Sequence, residues 1–268
     1  MTKTGAPGSE CRSESSPMLK YSIAILAAGR SQRMGRAKQT TIFEGETLLA
    51  RAIRVALESE VGDVKIVLGY QSEQIAASLQ NESVSAVSNK STSEVSNKSI
   101  TSYPNYVSII VNDDWAEGIA SSIRSAVQDA IDCGSDALLF MACDQPYVDN
   151  ALLRSLIEAF ERTSKPVVAS YYGTPGIPAI FAKEKFSELL LLTGDKGAKR
   201  LILESDAHLV PAPLAQHDVD TEADLDACRL NNQEENDRWL TKNALAVTTT
   251  LTRKNQIFPD EAFSKELA

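Results

Sequence analysis

Short unbroken apolar runs alternate along this chain with segments whose apolar residues recur every three or four positions. A strand is apolar at every position only when both of its faces are covered, so the runs read as buried strands of a parallel sheet. The segments of helical period read as amphipathic helices with one buried stripe. The pattern predicts strands at 22–28, 64–68, 107–111 and 137–143, with shorter ones at 40–43, 166–170, 178–181 and near 207–211. It predicts a helix opened by Thr47 with Leu48, Leu49, Ala52, Ile53, Ala56 and Leu57 on one face. Further helices are predicted at 72–80, 119–131, 150–162, 183–192, 196–204 and 221–229. Such alternation implies an α/β fold, a mostly parallel sheet with helices on both faces.

Three stretches break the rhythm. Residues 1–19 are rich in Ser, Gly, Pro and charge and read as a disordered tail. Residues 81–105 are dominated by Ser and Asn, with VSNKS at 87–91 and again at 95–99, and read as a polar insertion. Residues 229–268 have weak periodicity, with helical character only near 233–245, and read as an extension. A single domain over 20–228 remains.

The chain has 268 residues, 43% of them apolar, and a net charge of -9, which argues against a general nucleic-acid binder. No apolar stretch is long enough to span a membrane, and the N-terminus lacks the apolar core of a signal peptide, so a cytoplasmic protein is expected. Cys11, Cys133, Cys143 and Cys228 are scattered without a CxxC pair, and His208 and His217 lie far from all but the last of them. That spacing implies reduced thiols and no structural zinc.

Against the acidic background, one loop is cationic. The first strand ends in Ala27, Ala28 and Gly29, and Arg30, Arg33, Arg36 and Lys38 follow at once. Gly29 and Gly35 let the backbone turn and approach a ligand closely. Cations and exposed amides at a strand's carboxyl end suit a polyphosphate. The Walker pattern is excluded because Gly35 precedes Arg36, and the dinucleotide fingerprint is absent. Ligands of open α/β sheets bind beyond the carboxyl ends of the strands. Asn112, Asp113, Asp114, Asp144, Asp218 and Asp220 are predicted at such ends, giving carboxylates for a hard cation such as Mg2+.

The run LAAGRSQRMGRAK at 26–38 resembles the signature L-A-[AG]-G-x-S-x-R-M-G-x-x-K of the MobA-like nucleotidyltransferases at every position. NDDWAEGIASSIR at 112–124, CDQP at 143–146, GIPAIF at 176–181, GDKGAK at 194–199 and DVDTEADL at 218–225 extend the resemblance. Together they resemble the branch that cytidylylates molybdopterin, in which LAAG replaces the LAGG of guanylyl-transferring relatives. The resemblance covers about 20–228 and implies a three-layer, Rossmann-like nucleotidyltransferase fold. It implies Mg2+-dependent transfer of CMP from CTP to the terminal phosphate of molybdopterin, with release of pyrophosphate. A molybdoenzyme receiving the product is a further implied partner.

On this resemblance Lys38 and Arg33 hold the triphosphate, and Gly29 and Ser31 supply close amides. Leu26, Ala27, Ala28, Asn112, Gly118, Ser121 and Ser122 complete the nucleotide site. Asp144 and Asp220 ligate the metal, and Asp195 and Lys196 meet the acceptor. Bland readings compete at several positions. Asp144 could cap the helix near 149, Asp220 or Thr221 could cap the helix at 221, and Trp115 could be packing. Arg30 and Arg36 read as solvated neighbours. Transfer to another phosphate acceptor, GTP use, and a cofactor carrier are the other functions consistent with the sequence.

Overall fold

The computed structural model describes residues 19–86 and 107–230. The N-terminal tail before 19, most of the polar insertion and the extension beyond 230 lie outside the described residues, as does the helical stretch near 233–245.

The chain runs β1 (Tyr21–Ala27), β2 (Ile42–Phe43), β3 (Glu46–Thr47), α1 (Leu48–Glu58), β4 (Asp63–Leu68), α2 (Ser72–Ala86) and β5 (Val107–Val111). It continues through α3 (Ile119–Asp132), β6 (Ala137–Ala142), α4 (Asn150–Thr163), β7 (Val167–Tyr171) and β8 (Thr174–Ala182). The last elements are α5 (Phe186–Leu189), α6 (Lys199–Glu204), β9 (His208–Pro211) and α7 (Glu222–Leu230). The expected helix at 183–192 is instead a 3-10 turn followed by the single turn of α5. Helix α2 runs on to Ala86, so the insertion begins later than its Ser and Asn content suggested.

Seven strands form one sheet in the order β5-β4-β1-β6-β8-β7-β9. Only β8 runs antiparallel to its neighbours, because it returns from β7 through the tight turn at Tyr172 and Gly173. Strand alternation explains the three layers. Ile23, Ile25 and Ala27 of β1 point to the face covered by α1, α2 and α4, while Ala24 points to the face covered by α3, α5 and α6. Both faces are thus buried, which is why the strands carry so few polar residues. A third, small cluster joins Met34, Phe43 and Leu48 to Val219, Leu225 and Cys228 of the C-terminal segment.

Caps match the sequence closely. The Thr47 hydroxyl accepts from the amide of Ala50 at 3.1 Å and starts α1. Asp149 does the same for α4, accepting from Leu152 at 2.8 Å. Thr221 and Asp224 cap α7 reciprocally, the Thr221 amide donating to Asp224 Oδ2 at 2.7 Å and the Asp224 amide to Thr221 Oγ1 at 3.2 Å. Asp144 and Asp220 are therefore free of capping duty. No helix among the described residues is long and apolar enough to cross a membrane.

Candidate active site

The chain leaves β1 for β4 and β5 on one side, then crosses to β6 on the other. The crevice beyond the carboxyl ends of β1 and β6 is therefore the sheet's switch point, where open α/β folds place ligands. A cavity of about 870 Å³ opens there.

Its first wall is the signature loop. Gln39, 1% exposed, donates through Nε2 to the carbonyls of Ala27 at 2.7 Å and Gly29 at 3.0 Å, clipping the loop to the end of β1. The Ser31 hydroxyl accepts from the Lys38 amide at 3.1 Å, and Ser31 itself takes a left-handed conformation. Of the residues the resemblance assigned to the nucleotide, Leu26, Ala27, Ala28, Gly29, Ser31, Arg33 and Lys38 line the cavity here. Gln39 and Gln145 also line it and were not foreseen. Only their places beside Lys38 and Asp144 in the motifs could have signalled them.

Lys38 organises the charges. Its Nζ is hydrogen-bonded to Asp144 and donates to Asp220 Oδ1 at 2.9 Å. Arg33 pairs with the other oxygen of Asp220 at 2.9 Å. Burial works to lower the pKa of Lys38, but the charge of Asp144 and the hydrogen bonds to Asp144 and Asp220 outweigh it and hold the ammonium above its ordinary range. Lys38 is therefore charged at neutral pH. Cys143, beneath this cluster, is pushed up to about 12 by burial and then by the charge of Asp144, so it stays a thiol. Arg36 points elsewhere and pairs with Glu222 at 2.6 Å, and Arg30 lies over the ring of Tyr70.

Asp218 lines the same cavity, and desolvation followed by the charges of Asp144 and Asp220 raises its pKa, against the pull of Lys38. A carboxyl whose folded pKa is raised costs stability when ionised. The cost is present above the folded pKa and vanishes below the unfolded one. Asp218→Asn is therefore expected to raise the melting temperature of the ligand-free protein near pH 7. The gain should close as the pH falls toward about 4, as melting curves across that range will show.

Gly118, Ser122 and Asp195 also stand on the cavity wall. Gly118 has φ 123°, and a Cβ there would lie 2.6 Å from the Gly194 carbonyl. Only glycine permits this approach. Asn112 and Ser121 do not reach the wall. Asn112, 2% exposed, donates through Nδ2 to the hydroxyls of Ser121 at 2.8 Å and Ser122 at 3.0 Å. These two residues shape the turn from β5 to α3 from behind the site. Trp115 packs on Gly69 and Ala28 while presenting an edge to the cavity. Lys196 is exposed and off the wall, and Lys199 lines it instead.

The lining also includes the apolar Phe140, Ile177, Ala179, Phe181 and Ile202, none predicted as site residues. Tyr171 borders it, accepting from Gln145 Nε2 at 2.8 Å and donating to the Ile177 carbonyl.

A family profile described as the MobA-like NTP transferase domain matches residues 23–209. The chain belongs to that family. This MobA-like transferase is therefore a nucleotidyltransferase, and Asp218 and Asp220 lie beyond the matched span. It is 29% identical over 187 residues to the purine catabolism protein PucB of Bacillus subtilis, covering 68% of this chain and 80% of that one. It is 23% identical over 202 residues to the molybdenum cofactor cytidylyltransferase of Escherichia coli, covering 75% and 91%. Among solved structures it resembles Rv0371c of Mycobacterium tuberculosis, with 26% identity, a TM-score of 0.59 and coverage of 80% and 99%. Rv0371c has also been solved in complex with manganese.

Among the described residues no group of three or more His, Cys, Asp or Glu is arranged to hold a metal. Magnesium asks for less. It is commonly held by one or two carboxylates together with substrate phosphates and water. Asp144 and Asp220 already share one cation, the Lys38 ammonium, so their hard oxygens converge as such a site requires.

Proposed function

We propose that this transferase moves CMP from CTP to the terminal phosphate of molybdopterin, releasing pyrophosphate. The observation that carries this reading is the convergence of Lys38, Arg33, Asp144 and Asp220 in a cavity that also has an apolar lining. The acceptor phosphate oxygen attacks the α-phosphorus and a P–O bond forms. The bond from the α-phosphorus to the bridging oxygen breaks, and pyrophosphate leaves with its electrons. No side-chain nucleophile is needed, and the protein's task is to position and neutralise anions.

Lys38 and Arg33 hold the triphosphate beside the amides of the signature loop. Asp144 and Asp220 would hold Mg2+, which supplies neutralisation of phosphate charge when bound. The manganese complex of Rv0371c supports use of a divalent cation here. Trp115 and Ile177, both partly exposed on the wall, offer a surface for a flat ring such as a pterin. The Escherichia coli relative is named for this reaction, and the LAAG run, with Ala28 on the cavity wall, matches the cytidylyl-transferring branch. A molybdoenzyme that receives the product follows as a partner.

The test is an assay of the purified protein with Mg2+, molybdenum-loaded molybdopterin and each nucleoside triphosphate in turn, following pyrophosphate. Release with CTP is the expected result. Release with GTP alone would reassign the base, and release without molybdopterin dependence would reassign the acceptor.

A further inference from the structure

We propose that Lys199 receives the phosphate of the acceptor, an assignment that rests on the reading above. Cations line the cavity in two places. Arg30, Arg33 and Lys38 stand on the signature loop, while Lys199 stands apart at the first position of α6. Lys38 and Arg33 are engaged with Asp144 and Asp220, whereas Lys199 has no ion pair among the described residues.

The position of Lys199 is set by its surroundings. The segment leading to α6 is pinned to the start of α3. The Ala120 amide donates to the Gly194 carbonyl at 3.1 Å, and the Gly194 amide donates to Glu117 Oε1 at 2.9 Å. Arg124 binds this Glu117 at 2.8 Å and the Leu192 carbonyl at 2.7 Å. One turn along α6, Ile202 is 5% exposed, belongs to the core on the α3 face and lines the cavity. Residues three apart share a helix face, so α6 presents Lys199 on the side that Ile202 presents to the cavity. Lys196, on the same segment, is exposed and off the wall.

The chemistry requires such a group. A phosphate monoester must approach a triphosphate that already occupies Lys38 and Arg33, and the two anions repel. A cation presented to the cavity from a different element binds the acceptor without competing for the nucleotide. The lining also includes the apolar Phe140, Ile177, Ala179 and Phe181. The substrate class is therefore a phosphate monoester carried on a flat or apolar body.

Steady-state kinetics of the full chain with CTP and molybdopterin tests the assignment. Lys199→Gln is expected to raise the acceptor KM by about tenfold, while the CTP KM stays within about twofold. Lys199→Arg is expected to restore most of the loss, and Lys196→Gln to match the parent. An unchanged acceptor KM in Lys199→Gln, or an increase confined to CTP, would overturn the assignment. A parent protein with no molybdopterin-dependent release of pyrophosphate would overturn the underlying reading, and the assignment with it.

Discussion

Lys38→Met is expected to lower kcat/KM for the nucleotide by at least about a thousandfold, equivalent to about 4 kcal/mol of transition-state stabilisation. The side chain is 17% exposed, and among the described residues its ammonium is the one group bonded to both Asp144 and Asp220. Phosphoryl transfer builds charge on phosphate oxygens, and a half-buried ammonium is worth more there than the same group in water. The substitution also has a cost in the ligand-free protein. Asp144, Asp218 and Asp220 would then face one another with only the exposed Arg33 in reach. Discounted for partial exposure, losing that counter-charge costs about 1–3 kcal/mol of stability. Pyrophosphate release and thermal melting on the same preparation check both halves. Full activity in Lys38→Met would remove the lysine from the mechanism.

Asp144→Asn should abolish turnover to a similar degree but leave a different thermodynamic signature. Lys38 keeps Asp220 as a partner at 2.9 Å, so the fold loses little, about 1 kcal/mol or less. Nucleotide binding separates the two variants more sharply. The parent site presents three carboxylates to a triphosphate, and Asp144→Asn presents two. In chelator, CTP is expected to bind Asp144→Asn at least as tightly as the parent, and Lys38→Met much more weakly. Added Mg2+ should tighten CTP on the parent and do far less on Asp144→Asn. Calorimetric titration with and without metal measures this directly. Equal metal dependence in both proteins would show that Asp144 holds no cation.

Much of this was legible because each strand of the central sheet is covered on both faces, which leaves an unmistakable apolar run. The signature loop was legible because its glycines and cations stand at the end of such a run. What the sequence concealed has physical reasons. Strand direction leaves no mark on composition, so the reversal of β8 could not be seen. Asn112 and Ser121 were assigned to the nucleotide through the resemblance of 112–124, which does not tell a wall residue from one behind it. Here they satisfy one another in the interior. Lys196 and Lys199 are indistinguishable in a glycine-rich segment, and only the start of α6 decides which one faces the cavity. The apolar lining of the site was hidden because Phe140, Ala179 and Phe181 are equally good core residues.

The small cluster of Met34, Phe43, Leu48, Val219, Leu225 and Cys228 bears on the order in which the protein becomes competent. It anchors the stretch after β9, where the Val219 amide donates to the Asp144 carbonyl at 2.9 Å. The Lys38–Asp220 contact it supports joins residues 182 apart, farther than the β1–β6 pairing of Tyr21 with Ala137, and contacts of high sequence separation form late because closing their loops costs entropy first. A nascent chain can therefore complete its sheet and phosphate loop while Asp220 is still away from Lys38. The last segment to dock brings Asp220 to Arg33 and Lys38 and so completes the charge set.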